Sequence, residues 1–233
     1  MSLHKYSRFV WNTIRQQGLW FCMSEFASEL LFDLTHGTRT LTPVEPDTAG
    51  TTGSVTDAVQ YQGCSPAISR SLLATLPHEA FNAQFTDFGS GKGRTLILAL
   101  EAGFPAVTGV EFSSALVAAG RRNLERSGAS NSKAAILHLD AAVYEPPHGP
   151  LVAFLYNPFH GRTLKRVIAN LVRHASKPDC PLWVLYLNPK GLRAFLDAGF
   201  AETARIERRG RTLGVQLTIP SATAERSQGK ASL

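Results

Sequence analysis

The chain has 233 residues, 44% of them hydrophobic and 18% charged, with a formal net charge of +6 and a pI of about 9.5. This size and balance fit one large globular domain with a full core and exclude a fibrous or intrinsically disordered chain. The basic residues are scattered without a long Lys/Arg run, so the charge indicates an acidic partner or plain solubility and does not favour nucleic acid.

In chain order, residues 8–34 are expected to be helical. Trp11, Ile14, Phe21, Met23, Phe26, Leu30 and Leu34 recur every three to four residues, as in a helical cap on the core. An amphipathic membrane or partner helix is the alternative, given Trp11 and Trp20. Residues 35–57, rich in Thr, Gly, Pro and Asp, form a long loop of the kind that serves as a lid. A helix is expected over 65–76, with Pro66 in its first turn. From 84 onward strand and helix alternate: strands at 84–88, 106–111, 134–139, 151–156 and 181–187, and helices at 93–102, 113–127, 161–175 and 190–198. Such alternation implies parallel βαβ units. Strands 202–209 and 212–219, joined at Gly210, close the sheet as a hairpin. The expected division is 1–60 as helix and lid, 61–220 as the main domain and 221–233 as a disordered tail.

No apolar stretch approaches about 20 residues, so no membrane span is expected. Cys22, Cys64 and Cys180 are far apart and form no CxxC, which fits a reducing, cytoplasmic compartment. No His/Cys/Asp spacing indicates a metal site.

The most informative segment is Phe85-Thr-Asp-Phe-Gly-Ser-Gly-Lys-Gly-Arg94. A strand ends near Asp87, then Gly89, Gly91 and Gly93 follow at alternate positions before a helix. Glycine lets the chain leave the strand sharply and lets backbone approach a ligand. A helix start adds N–H groups and a positive dipole end. The segment is not a phosphate-binding P-loop: Thr86 stands where that loop needs glycine, and Gly93 where it needs a hydroxyl. Nor is it the dinucleotide fingerprint, whose third glycine would fall at Arg94. The next strand-end acid is Glu111, placed to accept from a ribose diol. A third, Asp140, can accept from a purine amino group or cap a helix. At the fourth strand end stands Tyr156-Asn157-Pro158-Phe159. The Asn157 amide oxygen and the Pro158 carbonyl can both accept from an –NH2 group and aim its lone pair, and Phe159 can stack on a planar or cationic substrate. A plain strand terminus is the other possibility. Tyr186-Leu-Asn188-Pro189 repeats this pattern after the fifth strand.

Asp87 with its three glycines, Glu111 and Asp140 together resemble the class I S-adenosylmethionine (SAM) methyltransferases, over about residues 60–219. The resemblance implies a doubly wound α/β fold: a mostly parallel seven-stranded sheet whose last strand is antiparallel. It also implies SAM as cofactor, bound by Tyr61, Asp87, Gly89, Ser90, Gly91, Gly93, Glu111, Phe112, Asp140, Ala141 and Asn157, with Asn157, Pro158 and Phe159 at the transfer step. Lys92 and Arg94 would meet the SAM carboxylate or be solvated helix charges. Phe32-Asp33, His36-Gly37, Thr40, Tyr61, Gly-Val-Glu-Phe-Ser and Asn-Pro-Phe further resemble a group of small bacterial methyltransferases of undefined substrate. Gly-Ser-Gly, Gly-Val-Glu and Asn-Pro-Phe are faintly similar to the Dot1-type protein lysine methyltransferases. Asn157-Pro158-Phe159 is similar to the Asn-Pro-Pro-Tyr/Phe motif of amino-directed methyltransferases, with one proline fewer. The implied acceptor is a small-molecule amine or a protein side chain, with an RNA or DNA base as the alternative. A non-catalytic SAM or nucleoside binder and a nicotinamide-dependent oxidoreductase are the competing functions. Arg205, Arg208, Arg209 and Arg211 on the hairpin form a solvated edge or an acidic-substrate patch.

Overall fold

The computed structural model describes residues 18–41, 63–129 and 133–219. Tyr61, the start of the expected N-terminal helix, most of the expected lid and the C-terminal tail lie outside the described residues.

Seven strands form one sheet: β1 (Gln84–Phe88), β2 (Val107–Glu111), β3 (Ala134–His138), β4 (Leu151–Tyr156), β5 (Leu182–Leu187), β6 (Ala201–Arg208) and β7 (Arg211–Thr218), in the order β3-β2-β1-β4-β5-β7-β6. Strands β1 to β5 pair in parallel, and β7 runs antiparallel to both β5 and β6. The central strands β1 and β4 read as almost continuously buried runs, as expected of strands covered on both faces. The exposed edge strand β6 alternates instead. Arg209 and Gly210, both at positive φ, make the two-residue turn of the β6–β7 hairpin.

Among the described residues the helices are α1 (Leu19–His36), α2 (Pro66–Leu73), α3 (Arg94–Glu101), α4 (Ser114–Arg126), α5 (Gly161–Ala175) and α6 (Leu192–Asp197). Ser65 caps α2 by accepting from the Ile68 N–H, with Pro66 in the first turn, and Ser113 caps α4 through Leu116. Two apolar clusters cover the sheet. One joins Phe85, Val107 and Phe154 to Leu72, Leu96 and Val117 of α2, α3 and α4. The other joins Phe88, Leu155 and Val184 to Val167 and Leu171 of α5 and Phe195 of α6.

Helix α1 lies on the body as expected, but its apolar stripe does not face the core. Only Phe32 is fully buried, while Met23, Phe26, Leu30 and Leu34 point outward. The helix is fastened to the body by its polar side. His36 pairs with Glu101 at 2.6 Å, Arg70 reaches the same carboxylate at 3.0 Å, and Glu29 lies 3.7 Å from Arg94. Gly37, at φ 64°, ends it. Cys64 and Cys180 are buried, Cys22 is half-buried, and none is disulfide-bonded. Among the described residues, no helix is long and apolar enough to cross a membrane, and no cluster of His, Cys, Asp and Glu is arranged to hold a metal ion.

Candidate cofactor and acceptor site

The strand order reverses between β1 and β4, and ligands of such sheets sit beyond the C-terminal strand ends at that point. Gly89 follows β1 and Pro158 follows β4. A Cβ on Gly89 would lie 2.3 Å from the Pro158 Cβ, so the glycine loop and the Asn-Pro-Phe corner are in direct contact. Gly89, Gly91 and Gly93 have φ values of 81°, 52° and 79°, the left-handed region that glycine adopts without strain.

Four loop N–H groups, those of Gly89, Ser90, Gly91 and Gly93, bond within the protein. Gly89 and Ser90 both donate to the Val110 carbonyl, at 2.8 and 3.2 Å, and Gly93 donates to the Ser90 carbonyl at 2.9 Å. Gly91 donates to Glu111 Oε2, also at 2.9 Å. A phosphate cradle needs such donors free, so this loop is not one. The Ser90 hydroxyl is buried against Gly109, where a Cβ would lie 2.5 Å from it.

Two carboxyl groups flank the loop. Asp87, 3% exposed at the end of β1, is pushed up to about 8 by burial and by the neighbouring Glu111 charge, against a hydrogen bond from Thr95. Glu111, 4% exposed, is also raised by burial, opposed by the backbone N–H groups it accepts. The Ser113 N–H donates to its Oε1 at 2.9 Å and the Phe112 N–H is a third backbone donor to the carboxylate, whose two oxygens still keep lone-pair capacity for a hydroxyl. Phe112 is partly exposed beside it. Asp140 accepts from the Ala142 N–H at 2.8 Å, so it caps the short 3-10 turn Ala141–Val143 with one oxygen. Ala141 is buried in the second core cluster.

At the β4 end Asn157 has φ 42°, and Asn188 after β5 has φ 46°. Each precedes a proline, a setting that disfavours helical backbone. Left-handed non-glycine residues persist where surrounding packing dictates them, often at functional sites. The Tyr186 hydroxyl accepts from the Gly191 N–H at 3.1 Å and donates to Asn157 Oδ1 at 3.5 Å, the outer limit of a hydrogen bond. The second Asn-Pro corner thereby supports the first. Gly191 packs closely here: a Cβ would sit 2.3 Å from Leu164 Cδ2 and 3.0 Å from the Tyr186 hydroxyl, so a side chain would have to displace them. Phe159 is buried in the second core cluster and serves as packing, not as an open stacking face.

Lys92 and Arg94 are neither solvated charges nor open ligand contacts. Both are buried, facing the segment after α1. Lys92 Nζ donates to the Arg39 carbonyl at 3.2 Å, and burial lowers its pKa. Arg94 donates from Nε to Thr40 Oγ1 at 2.8 Å and from Nη1 to the Cys64 carbonyl, and it lies over the Phe32 ring. Asn123 completes the lacing by donating to the Lys92 carbonyl and accepting from the Arg39 N–H, both at 3.1 Å. Asp33 accepts from the Thr38 and Thr40 hydroxyls and from the Thr40 and Leu41 N–H groups. The base of the expected lid is therefore pinned to the glycine loop and to α4. Asn123 carries no sequence signal for this role, because its partners come from two other parts of the chain.

Similar folds occur in solved structures. The glycopeptide N-methyltransferase MtfA bound to SAM superposes with a TM-score of 0.54 at 12% identity, over 72% of this chain and 100% of that one. A putative RNA methyltransferase from Pyrococcus horikoshii gives 0.53 at 17% identity, over 82% and 94% of the chains. The ribosomal protein L11 methylase of Lactobacillus delbrueckii subsp. bulgaricus gives 0.51 at 17% identity, over 73% and 82%. No protein-family model matches the chain, and no curated protein matches its sequence. The architecture is the α/β fold shared by these methyltransferases: a seven-stranded sheet, mostly parallel, that reverses at β7.

Proposed function

We propose that this chain is a SAM-dependent methyltransferase acting on nitrogen. The observation that carries this reading is the chemistry of the glycine loop: its Gly89, Ser90, Gly91 and Gly93 N–H groups are bonded within the protein, and two buried carboxyl groups stand beside it. Such a site offers a pyrophosphate none of these four donors, whereas Glu111 keeps acceptor capacity for hydroxyl groups. It suits a cationic nucleoside instead. That argues against a nicotinamide-dependent oxidoreductase.

SAM, when bound, supplies an electrophilic methyl group on a sulfonium. Glu111 would hold the ribose hydroxyls, the partly exposed Phe112 would flank the base, and Asp140 would accept from the purine amino group with its second oxygen. Gly89, Gly91 and Gly93 let backbone approach the methionine portion. The reaction is an in-line displacement in which positioning can contribute about 7–11 kcal/mol. Asn157 Oδ1 and the Pro158 carbonyl would accept from the acceptor nitrogen and direct its lone pair. The Tyr186 hydroxyl fixes the amide that does this.

The similar structures act, by their descriptions, on a glycopeptide, a ribosomal protein and, putatively, RNA, so they do not select an acceptor. A small-molecule amine or a protein side chain is the preferred class. On the hairpin, Glu202 and Glu207 pair with Arg205 and reduce its value as a phosphate contact. Three cysteines without a disulfide support a reducing, cytoplasmic location. Incubation of the purified protein with methyl-labelled SAM and a panel of amines, peptides and RNA tests the catalytic half. Transfer to an amine or peptide that Asn157→Ala abolishes supports it. SAM binding without transfer to any acceptor would leave a non-catalytic SAM sensor.

A further inference from the structure

Helix α1 carries polar groups on the side that faces the fold and apolar ones on the side that faces out. Glu29, Asp33 and His36 point inward to Arg94, to Thr38 and Thr40, and to Glu101. Trp20, Met23, Phe26, Leu30, Leu31 and Leu34 point outward, Trp20 at 84% and Leu34 at 71% exposure. At about 100° of helical rotation per residue these six span an arc of about 140° that contains no charged residue. The helix cannot turn this face inward without stranding the buried Arg94 and the Glu101 cluster. A contiguous exposed apolar stripe of this kind marks an interaction surface.

Charge identifies the partner. The β6–β7 turn abuts the first turn of the helix. The Arg208 guanidinium lies 4.0 Å from the Phe21 ring centroid, and Arg209 Nη1 is 3.0 Å from where a Cβ on Gly18 would be. Both arginines are exposed. The 17 residues ahead of Gly18 contain Lys5, Arg8 and Arg15 and no Asp or Glu. A charge-free apolar arc with tryptophan and a basic rim is the chemistry of a helix lying in the interface of an anionic bilayer. A second copy of the chain fits less well. Each copy carries a net charge of +6, and a two-fold contact through this stripe would bring two such chains together, whereas an anionic surface attracts one.

We propose that α1 and the β6–β7 turn form a docking surface for an anionic lipid membrane, on which the protein sits peripherally. This inference is independent of the methyl-transfer reading. The full chain is floated with vesicles of phosphatidylcholine alone and of phosphatidylcholine with phosphatidylglycerol, at low and high salt. Binding is expected only to the anionic vesicles, weakened by salt, and reduced at least about tenfold by Trp20→Ser with Leu31→Ser or by Arg208→Ser with Arg209→Ser. All four residues are exposed, so the variants should keep the wild-type circular dichroism spectrum and melting temperature. Three results would overturn the proposal: no flotation with anionic vesicles, flotation that neither variant weakens, or light scattering that shows a dimer which Trp20→Ser dissociates while vesicles go unbound.

Discussion

Gly89 and Pro158 touch across the centre of the sheet. Only the missing side chain of one leaves room for the ring of the other. The glycine loop after β1 and the Asn-Pro-Phe corner after β4 thus form one surface, with the proposed methyl donor on one side of the contact and its acceptor on the other. The contact makes the loop's first glycine a joint requirement of both half-sites.

Gly89→Ala should therefore damage the site in two ways. It places a Cβ 2.3 Å from the Pro158 Cβ and forces alanine to φ 81°. A stability loss of about 2 kcal/mol or more is expected, with S-adenosylhomocysteine binding lost. Pro158→Gly in the same chain removes the clash but not the strain, so partial recovery of the melting temperature is expected. No recovery would show that the contact is not what excludes a side chain at 89.

Glu111→Gln replaces two acceptor oxygens with one acceptor and one donor, and so sets an amide N–H against the Gly91 or Ser113 N–H. The affinity for SAM should fall by about 10- to 100-fold, measured by calorimetry. Unchanged affinity would remove Glu111 from the ribose site.

Asn157 and Tyr186 should separate turnover from binding. Asn157→Ala is expected to lower kcat about 100-fold or more while leaving SAM affinity within about threefold. Tyr186→Phe leaves the Gly191 N–H without its hydroxyl partner and frees the Asn157 amide, so a smaller loss of kcat, about tenfold, should accompany about 1 kcal/mol of lost stability. A fall in SAM affinity with kcat unchanged, in either variant, would contradict these roles.

Burial of Asp87 has a stability consequence with a definite sign. Its folded pKa of about 8 lies above the unfolded value of 3.8, so the folded state holds the extra proton between these limits. The stability this proton confers is complete below about pH 4 and is lost as the pH rises through about 8. Asp87→Asn keeps a neutral side chain at every pH. The variant should gain on the wild type by about 3 kcal/mol between pH 6 and pH 9, followed by thermal melting across that range. A difference that does not change with pH would show that Asp87 is ionised in the folded protein throughout.

Local pattern made much of the fold legible. The β4 strand at 151–156 and the α5 helix at 161–175 fall where the sequence places them, because a short buried run and a 3.6-residue period are local signals. The Arg209-Gly210 hairpin turn is equally local. Pattern could not say which way α1 faces. Periodicity finds an apolar stripe on a helix, but whether the stripe meets the core depends on residues such as Arg94 and Glu101, 65 positions or more from Glu29 and His36. Lys92 and Arg94 were obscured for the same reason. In sequence they are charges beside a glycine loop, and their burial is set by Arg39, Thr40 and Cys64, brought in from the segment after α1 and the approach to α2.

The most direct test of the proposed cofactor is a calorimetric titration of S-adenosylhomocysteine into the folded wild-type protein, with NADH as the competitor. One-to-one binding in the micromolar range that NADH does not displace is the expected result. No heat and no rise in melting temperature at millimolar ligand, or displacement by NADH, would contradict the assignment of the glycine loop to SAM.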